Sequence, residues 1–481
     1  MALTPDESFI MAEKLLNKQK WWTDKLFFAH VMKEWDIGFI SCIYVPNNFE
    51  QNVMNTFAEM YKIDYRRLNL NVMLSTEVGT GRTLSPVAVR YSGKLEGNIV
   101  GPFLAISSTD FEIGTALVKL LELESCCRNM TGKVQTVLGP VNPDTLGVTF
   151  THEHLLHELP LEVFRHPLPG NIPPLQGDPF SIQNIGWVRQ YPYCFDINNI
   201  YTDESVRKAV IEEMYFFKQL GGGTIVDNGS VGLRAKDQAQ FLTSLSKETG
   251  IHVVTGTGFY VTFAQPQSVL NMKVEDMAAK MREDLLVGID GTNVKCGVIG
   301  EVGCSWPLAD FERKSLVSSA IVQAETGCPV IIHPGRDKKS PEEIFRVFQE
   351  AGGKLQKTVM SHLERTLHTK EDLAEFASMG SYCEFDLFGI EVSHYQHNED
   401  IDMPSDAQRV ERLYHLIQQG FGDKIVIGHD IHTKHRLMKF GGHGFSHIIA
   451  NVLPKMRRRG FSENDIKKIL IDNPKKWLTF Q

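Results

Sequence analysis

From residue 133 onward the chain alternates short, nearly continuous apolar runs with longer stretches whose apolar residues recur every three to four positions. Runs of the first kind predict strands buried on both faces, and stretches of the second kind predict helices with one apolar side. Lys133-Val-Gln-Thr-Val-Leu-Gly-Pro suggests an opening hairpin, followed by a strand over 148–154. Seven helix–strand pairs follow: helix 203–220 with strand 224–228, 236–249 with 252–260, 274–287 with 296–301 and 311–327 with 329–333. The series ends with helix 341–351 and strand 357–362, 370–379 and 382–386, and 406–420 and 424–430. Eight such units over about 350 residues match the count and scale of a (β/α)₈ TIM barrel, an α/β fold. A doubly wound sheet is the competing layout, but no Gly-x-Gly-x-x-Gly opens a helix after the first strand. The stretch 155–200, rich in proline and aromatics, carries no clear helix and has the length of a functional cover or a disordered loop.

Residues 1–130 read differently. Helices are expected at 6–35, 48–61 and 110–123, and strands at 37–45, 69–75, 87–91 and 98–106. This is an α+β pattern without a chemical constellation, in which His30 and Cys42 read as packing residues. A junction is expected between Glu122 and Met130, giving an N-terminal segment 1–130 of unassigned role and a barrel domain 131–481.

Composition narrows the functional classes. Hydrophobic residues make up 42% and charged residues 22%, ordinary for a soluble globular protein, and the net charge of −8 offers no basic surface for nucleic acid or anionic membrane. The eight cysteines lack C-x-x-C spacing, which points to reduced thiols rather than a zinc knuckle or a disulfide scaffold. The N-terminal residues carry acidic groups where a secretory signal needs positive charge, and no run of about 18 apolar residues occurs, so a cytoplasmic location is expected. The sequon Asn129-Met-Thr is then unused.

The chemistry begins at Thr151-His152-Glu153-His154. Side chains two apart on a strand share a side, so His152 and His154 present two imidazoles together. In a barrel of this kind functional groups sit at the C-terminal ends of the strands. Those ends supply Glu301 from the fourth strand, His333 from the fifth, His362 from the sixth and Asp430 from the eighth. Four imidazoles and two carboxylates at one mouth suit two divalent ions, Zn²⁺ or Mn²⁺, with one carboxylate bridging them.

Thr151-His-Glu-His, Gly300-Glu-Val-Gly, His333-Pro-Gly-Arg, Ser361-His-Leu-Glu-Arg and Gly428-His-Asp-Ile-His resemble the amidohydrolase superfamily, within it the phosphotriesterase branch. The closing stretch from Gly444-Phe-Ser-His-Ile to Asn473-Pro-Lys-Lys-Trp is similar to the same branch, so the likeness covers roughly 131–481. The resemblance implies that His152, His154 and Asp430 hold one metal, His333 and His362 the other, and that Glu301 bridges. Many members bridge with a carbamylated lysine instead; here Glu301 already offers an anionic oxygen, and Lys295 reads as structural.

The same resemblance implies a hydrolase in which the ions activate water, with Asp430 as general acid–base and Glu301 as bridge. His432 or Asp386 could relay the proton or orient a ligand. It further implies amide hydrolysis of small N-acyl amino acids or amino-sulfonates such as N-acetyltaurine. A small anionic N-acyl substrate needs a cationic anchor: Arg336 is the first choice, with Lys434 and Arg436 behind it. Tyr260, Trp187 and Tyr193 could line the pocket. A lactonase, esterase or phosphotriesterase on the same site is the alternative; a TatD-type DNase would need a phosphate groove, which the acidic charge disfavours.

Overall fold

Eight short apolar runs become eight parallel strands. These are β1 (Val148–Glu153), β2 (Gly222–Asp227), β3 (His252–Thr257), β4 (Val298–Gly303), β5 (Val330–His333), β6 (Thr358–Met360), β7 (Tyr382–Phe385) and β8 (Ile425–Ile427). The computed structural model describes residues 130–481 except 171, 173, 174 and 393, together with the strands Leu70–Met73 and Ala88–Tyr91. Each barrel strand pairs in parallel with the next in sequence. The ring closes where the Asp430 amide donates to the His152 carbonyl at 3.0 Å and the Thr151 hydroxyl to the Ile427 carbonyl at 3.3 Å. This is the (β/α)₈ barrel expected from the alternation of runs.

The intervening helices are α1 (Glu204–Gln219), α2 (Gln238–Thr249), α3 (Val274–Leu286), α4 (Asp310–Thr326), α5 (Ser340–Glu350), α6 (Lys370–Ser378) and α7 (Asp406–Gln418). Their ends follow from local chemistry. The Asp203 carboxylate accepts the Ser205 and Val206 amides at the start of α1, and Gly250 and Gly327 take left-handed conformations past α2 and α4. On α5 the buried set Ile344, Phe345, Val347 and Phe348 forms the stripe that faces the barrel.

The N-terminal end of the barrel is plugged. Val226, Val254, Val298, Ile331, Val359 and Val426 cluster with Val134 of the antiparallel hairpin Val134–Thr136/Gly139–Val141 and with Trp477 and Leu478 of the last helix. The opening hairpin is thus present, and it serves as part of the floor.

Two expectations need adjustment. The stretch 155–200 holds short helices at Leu161–Phe164, Ile185–Gln190 and Asp196–Asn199 and a 3₁₀ turn at Pro192–Cys194. Each is one or two turns, too short for a helical period to emerge from its apolar positions. In the N-terminal segment Leu70–Met73 and Ala88–Tyr91 pair antiparallel, inside two of the expected strands. The helices expected at 6–35, 48–61 and 110–123, the strands at 37–45 and 98–106, and His30 and Cys42 lie outside the described residues. The chain divides into the units Met1–Cys126 and Cys127–Gln481.

Candidate active site

The C-terminal ends of β1, β4, β5, β6 and β8 bring His152, His154, Glu301, His333, His362 and Asp430 to one buried cluster. Close strand approach makes this possible: a Cβ at Gly300 would meet the Ile331 carbonyl oxygen at 2.4 Å, and one at Gly428 the His152 carbonyl oxygen at 2.7 Å. His362 and Asp430, each past a strand end, have φ of 53° and 51°, a left-handed conformation that costs about 1–3 kcal/mol and gathers at functional sites. The surroundings hold both in place. The His362 amide donates to Asp386 Oδ2 at 3.2 Å and the Asp430 amide to the His152 carbonyl at 3.0 Å.

Glu301 stands at the centre. Its Oε2 lies 2.7 Å from His333 Nδ1, 3.4 Å from His362 Nε2 and 3.6 Å from His152 Nε2, and its Oε1 lies 3.5 Å from His154 Nε2. Asp430 Oδ1 lies 3.2 Å from His154 Nε2 and 3.8 Å from His152 Nε2. Separations of 3.2–3.8 Å are too long for good hydrogen bonds but suit donor atoms arranged around a cation at about 2.0–2.2 Å. His152 Nε2 is buried with no hydrogen-bond partner, and His333 Nδ1 and His362 Nε2 point at each other across 2.9 Å. Both features fit a cation between the lone pairs. His152, His154 and Asp430 form one potential ligand set and Glu301, His333 and His362 another. His152, His362 and Asp386 also cluster, but Asp386 meets the Nδ1 atoms of both rings, at 3.0 and 2.7 Å, on the side away from Glu301. That is the arrangement of a carboxylate orienting two ligand histidines.

The electrostatics favour ionised carboxylates at the centre, and the carboxylates in turn raise the pKa of His152 and His362 against burial, Asp386 foremost in both. Burial alone would raise the Glu301 carboxyl, but the His333 and His152 rings outweigh it and hold it well below the usual range. Burial likewise opposes, and His432 and His154 overcome, a pKa of Asp430 held well below its ordinary value. Burial drives His333 down to about 3 despite Glu301.

Behind the rings is a polar layer. Glu384 accepts from the Thr151 hydroxyl at 2.5 Å and the Ser361 hydroxyl at 2.8 Å, and its Oε2 lies 3.2 Å from His152 Nδ1. Glu384 and Ser361 are absent from the strand-end reading, though strict alternation along Tyr382-Cys-Glu-Phe-Asp places Glu384 and Asp386 on one side and would have found the former. Lys295 precedes β4, so it sits at the opposite end of that strand from Gly303 and away from the cluster.

A cleft open to solvent rises from the cluster. Tyr260 lines it with its ring 5.2 Å from that of His333, and Arg336 lines it with Nε donating to the Tyr395 hydroxyl at 2.8 Å. His432 Nδ1 lies 3.2 Å from Asp430 Oδ1 and 2.7 Å from the Asp430 carbonyl oxygen. That environment puts the ring hydrogen on Nδ1 and leaves Nε2 to accept from the Tyr193 hydroxyl at 3.0 Å. Tyr193 therefore joins the cavity, as expected for it, together with Tyr395 and His397 from the segment after β7, which no sequence signal marks.

Three expected pocket residues lie elsewhere. Lys434 is committed to an ion pair with Asp203. Arg436 is buried and donates to the carbonyls of Phe388, His429 and Asp430, so it braces the backbone. Trp187 stacks on Tyr191 at 6.3 Å and does not line the cavity. Exposed-loop cations cannot be told from braces by spacing alone, since the distinction depends on distant carbonyls.

A model of the phosphotriesterase family matches residues 132–478. The chain belongs to the phosphotriesterase family. As a phosphotriesterase-family member it is a hydrolase of a metal-dependent family. Among its relatives are the N-acetyltaurine hydrolases of Salmo salar, 50% identical over 352 residues, and of Bos taurus, 48% identical over 353 residues. Each alignment covers 73% of this chain and 99% of the relative. Among solved structures, a resiniferatoxin-binding protein from Rhodobacter sphaeroides is 30% identical with a TM-score of 0.67, over 72% of this chain and 95% of that one. A Listeria monocytogenes lactonase, 21% identical with a TM-score of 0.58 over 73% of this chain and 99% of its own, shares the fold. Among the described residues of this family member no helix is long and apolar enough to cross a membrane.

Proposed function

We propose that the chain hydrolyses the amide of N-acetyltaurine, a small anionic N-acyl substrate, to taurine and acetate at a pair of divalent cations, Zn²⁺ by donor chemistry. The observation that carries the metal centre is Glu301, whose two oxygens lie within 3.6 Å of a ring nitrogen of all four histidines. The substrate rests on relatives 48–50% identical that bear that activity in their names. In this reading His152, His154 and Asp430 would hold one cation and His333 and His362 the other, with Glu301 within reach of both sets. When bound, such cations make a water nucleophilic near neutral pH and polarise the scissile carbonyl.

The chain's own groups do the rest. Asp430 takes the proton of the attacking water and returns it to the leaving nitrogen, with His432 and, behind it, Tyr193 holding the carboxylate in line. Arg336 faces the anionic end of the substrate and Tyr260 walls the acyl side. Asp386 and Glu384 keep the ligand rings in register. The free thiols of Cys194, Cys296, Cys304 and Cys383 suit a cytoplasmic setting, and the net charge of −8 suits a small-molecule substrate rather than nucleic acid.

The test is elemental analysis of the purified protein joined to a hydrolysis screen over N-acetyltaurine, N-acetyl amino acids, lactones and aryl phosphotriesters. Two cations per chain and fastest release of acetate from N-acetyltaurine are expected. Faster lactone or phosphotriester cleavage would replace the amidase reading, and metal-free active protein would end the metal reading.

A further inference from the structure

The two adjacent strands β5 and β6 end in the same spacing: His333-Pro-Gly-Arg336 and His362-Leu-Glu-Arg365. Each places an arginine three residues past a cluster histidine, and both arginines line the cavity. Arg365 is only 2% exposed. Its Nη2 donates to the Pro334 carbonyl at 3.2 Å and its Nη1 to the Thr366 hydroxyl at 3.2 Å. Arg336 is pinned through Nε to the Tyr395 hydroxyl, and its guanidinium sits 5.5 Å over that ring. Among the described residues its Nη groups make no hydrogen bond and neither arginine is paired with a carboxylate. Elsewhere in the barrel Arg409 pairs with Glu364 and Asp406 and Arg234 with Asp284, while Arg436, which also lacks a carboxylate, spends its guanidinium on three backbone carbonyls. Two like charges on one cavity wall, one of them buried, are costly unless an anion joins them. Burial first, and the Arg336 charge second, lower the Arg365 pKa.

A third donor adds to the demand. If His333 gives Nδ1 to a cation, as proposed above, its remaining hydrogen is on Nε2, which lies 3.4 Å from Arg365 Nη2. Two donors cannot satisfy each other, so with this tautomer the pair offers its free hydrogens to an acceptor in the cavity, which an anionic ligand supplies.

We infer that Arg336 and Arg365 together form the subsite for the sulfonate of the substrate and select it over a carboxylate of the same length. This rests on the amidohydrolase reading for its substrate. A sulfonate presents three equivalent oxygens in three directions, enough for two forks rooted on different strands. A carboxylate presents two oxygens in one plane, which a single fork satisfies.

The experiment uses the full-length, metal-loaded protein and three amides: N-acetyltaurine, N-acetyl-β-alanine and the neutral N-ethylacetamide. Calorimetric binding of ethanesulfonate and propionate is measured alongside. N-acetyltaurine is expected to exceed N-acetyl-β-alanine in kcat/KM by about tenfold or more, and ethanesulfonate to bind more tightly than propionate. Arg365→Lys, which keeps the charge but loses the fork, and Arg336→Gln, on a half-exposed loop, should each cut the N-acetyltaurine to N-ethylacetamide ratio of kcat/KM by about tenfold. Both should also weaken ethanesulfonate binding. Equal handling of sulfonate and carboxylate, or an unchanged ratio in both variants, overturns the subsite while hydrolysis of N-ethylacetamide leaves the amidase reading standing. Tight ethanesulfonate binding that Arg365→Lys abolishes, in a protein that cleaves none of the three amides, upholds the subsite and removes the amidase reading.

Discussion

At the scale of single residues the centre depends on one carboxylate that touches every ring and another that aims two of them. Glu301→Ala removes the oxygen shared by His152, His154, His333 and His362, so the protein should lose bound metal and hydrolysis should fall by about three orders of magnitude. Elemental analysis checks it, and full metal content in the variant would contradict a bridging Glu301. Asp386→Asn keeps the size but exchanges an acceptor for a donor beside two Nδ1 atoms that need acceptors. Metal affinity should drop about 10–100-fold in a chelator titration, with kcat less affected once metal is saturating. The six ligand candidates were legible because strand-end position and residue type coincide there. Arg365 and Tyr395 were not: Arg365 gains its meaning from a neighbouring strand, and Tyr395 meets Arg336 only through a contact 59 residues apart in an aperiodic segment.

At the scale of elements, α1 grips the loop that follows β8. Glu213, buried on α1, accepts the Met438 amide at 2.7 Å and the Phe445 amide at 2.8 Å, one from each end of that loop. Burial pushes its carboxyl up to about 7, against the pull of those two amides. The folded carboxyl therefore binds its proton more tightly than the unfolded one, whose value lies near 4.5. Its protonation adds stability that is fully present below about 4.5 and is lost as pH rises through about 7. Unfolding by urea at pH 5 and pH 8 should show wild type losing on the order of 3 kcal/mol more than Glu213→Gln over that interval. Parallel losses in the two proteins would mean that this carboxyl does not titrate there. The element itself was readable: α1 carries a strong cap at Asp203 and an apolar stripe, and its observed bounds differ from the expected 203–220 by one residue at each end. The clasp was not, because a glutamate on a helix reads as solvated until the loop that buries it is placed.

At the scale of the whole molecule the barrel is sealed by residues from both ends of the unit Cys127–Gln481. Trp477 is fully buried in the core cluster and donates Nε1 to the Val330 carbonyl at 3.2 Å. Trp477→Ala should cost about 3–5 kcal/mol, read as a lowered urea midpoint, while the metal ligands at the far end of the strands are untouched. The same seal decides where the folding unit begins. The Phe480 amide donates to the Lys133 carbonyl at 2.9 Å and the Gly132 amide to the Phe480 carbonyl at 3.0 Å, while the Val137 amide reaches the Val253 carbonyl of β3 at 2.9 Å. Val134 lies in the core cluster itself. A chain starting at Cys127 keeps all of these contacts and spans the whole matched region 132–478, so it should fold, retain its cations and hydrolyse the same amide as the full chain. A chain starting at Asn142 lacks the hairpin, leaves Trp477 against an open floor and should lose cooperative unfolding together with bound metal. Should the chain starting at Cys127 lose metal while the full-length protein keeps it, residues 1–126 would be part of the hydrolase rather than an addition to it.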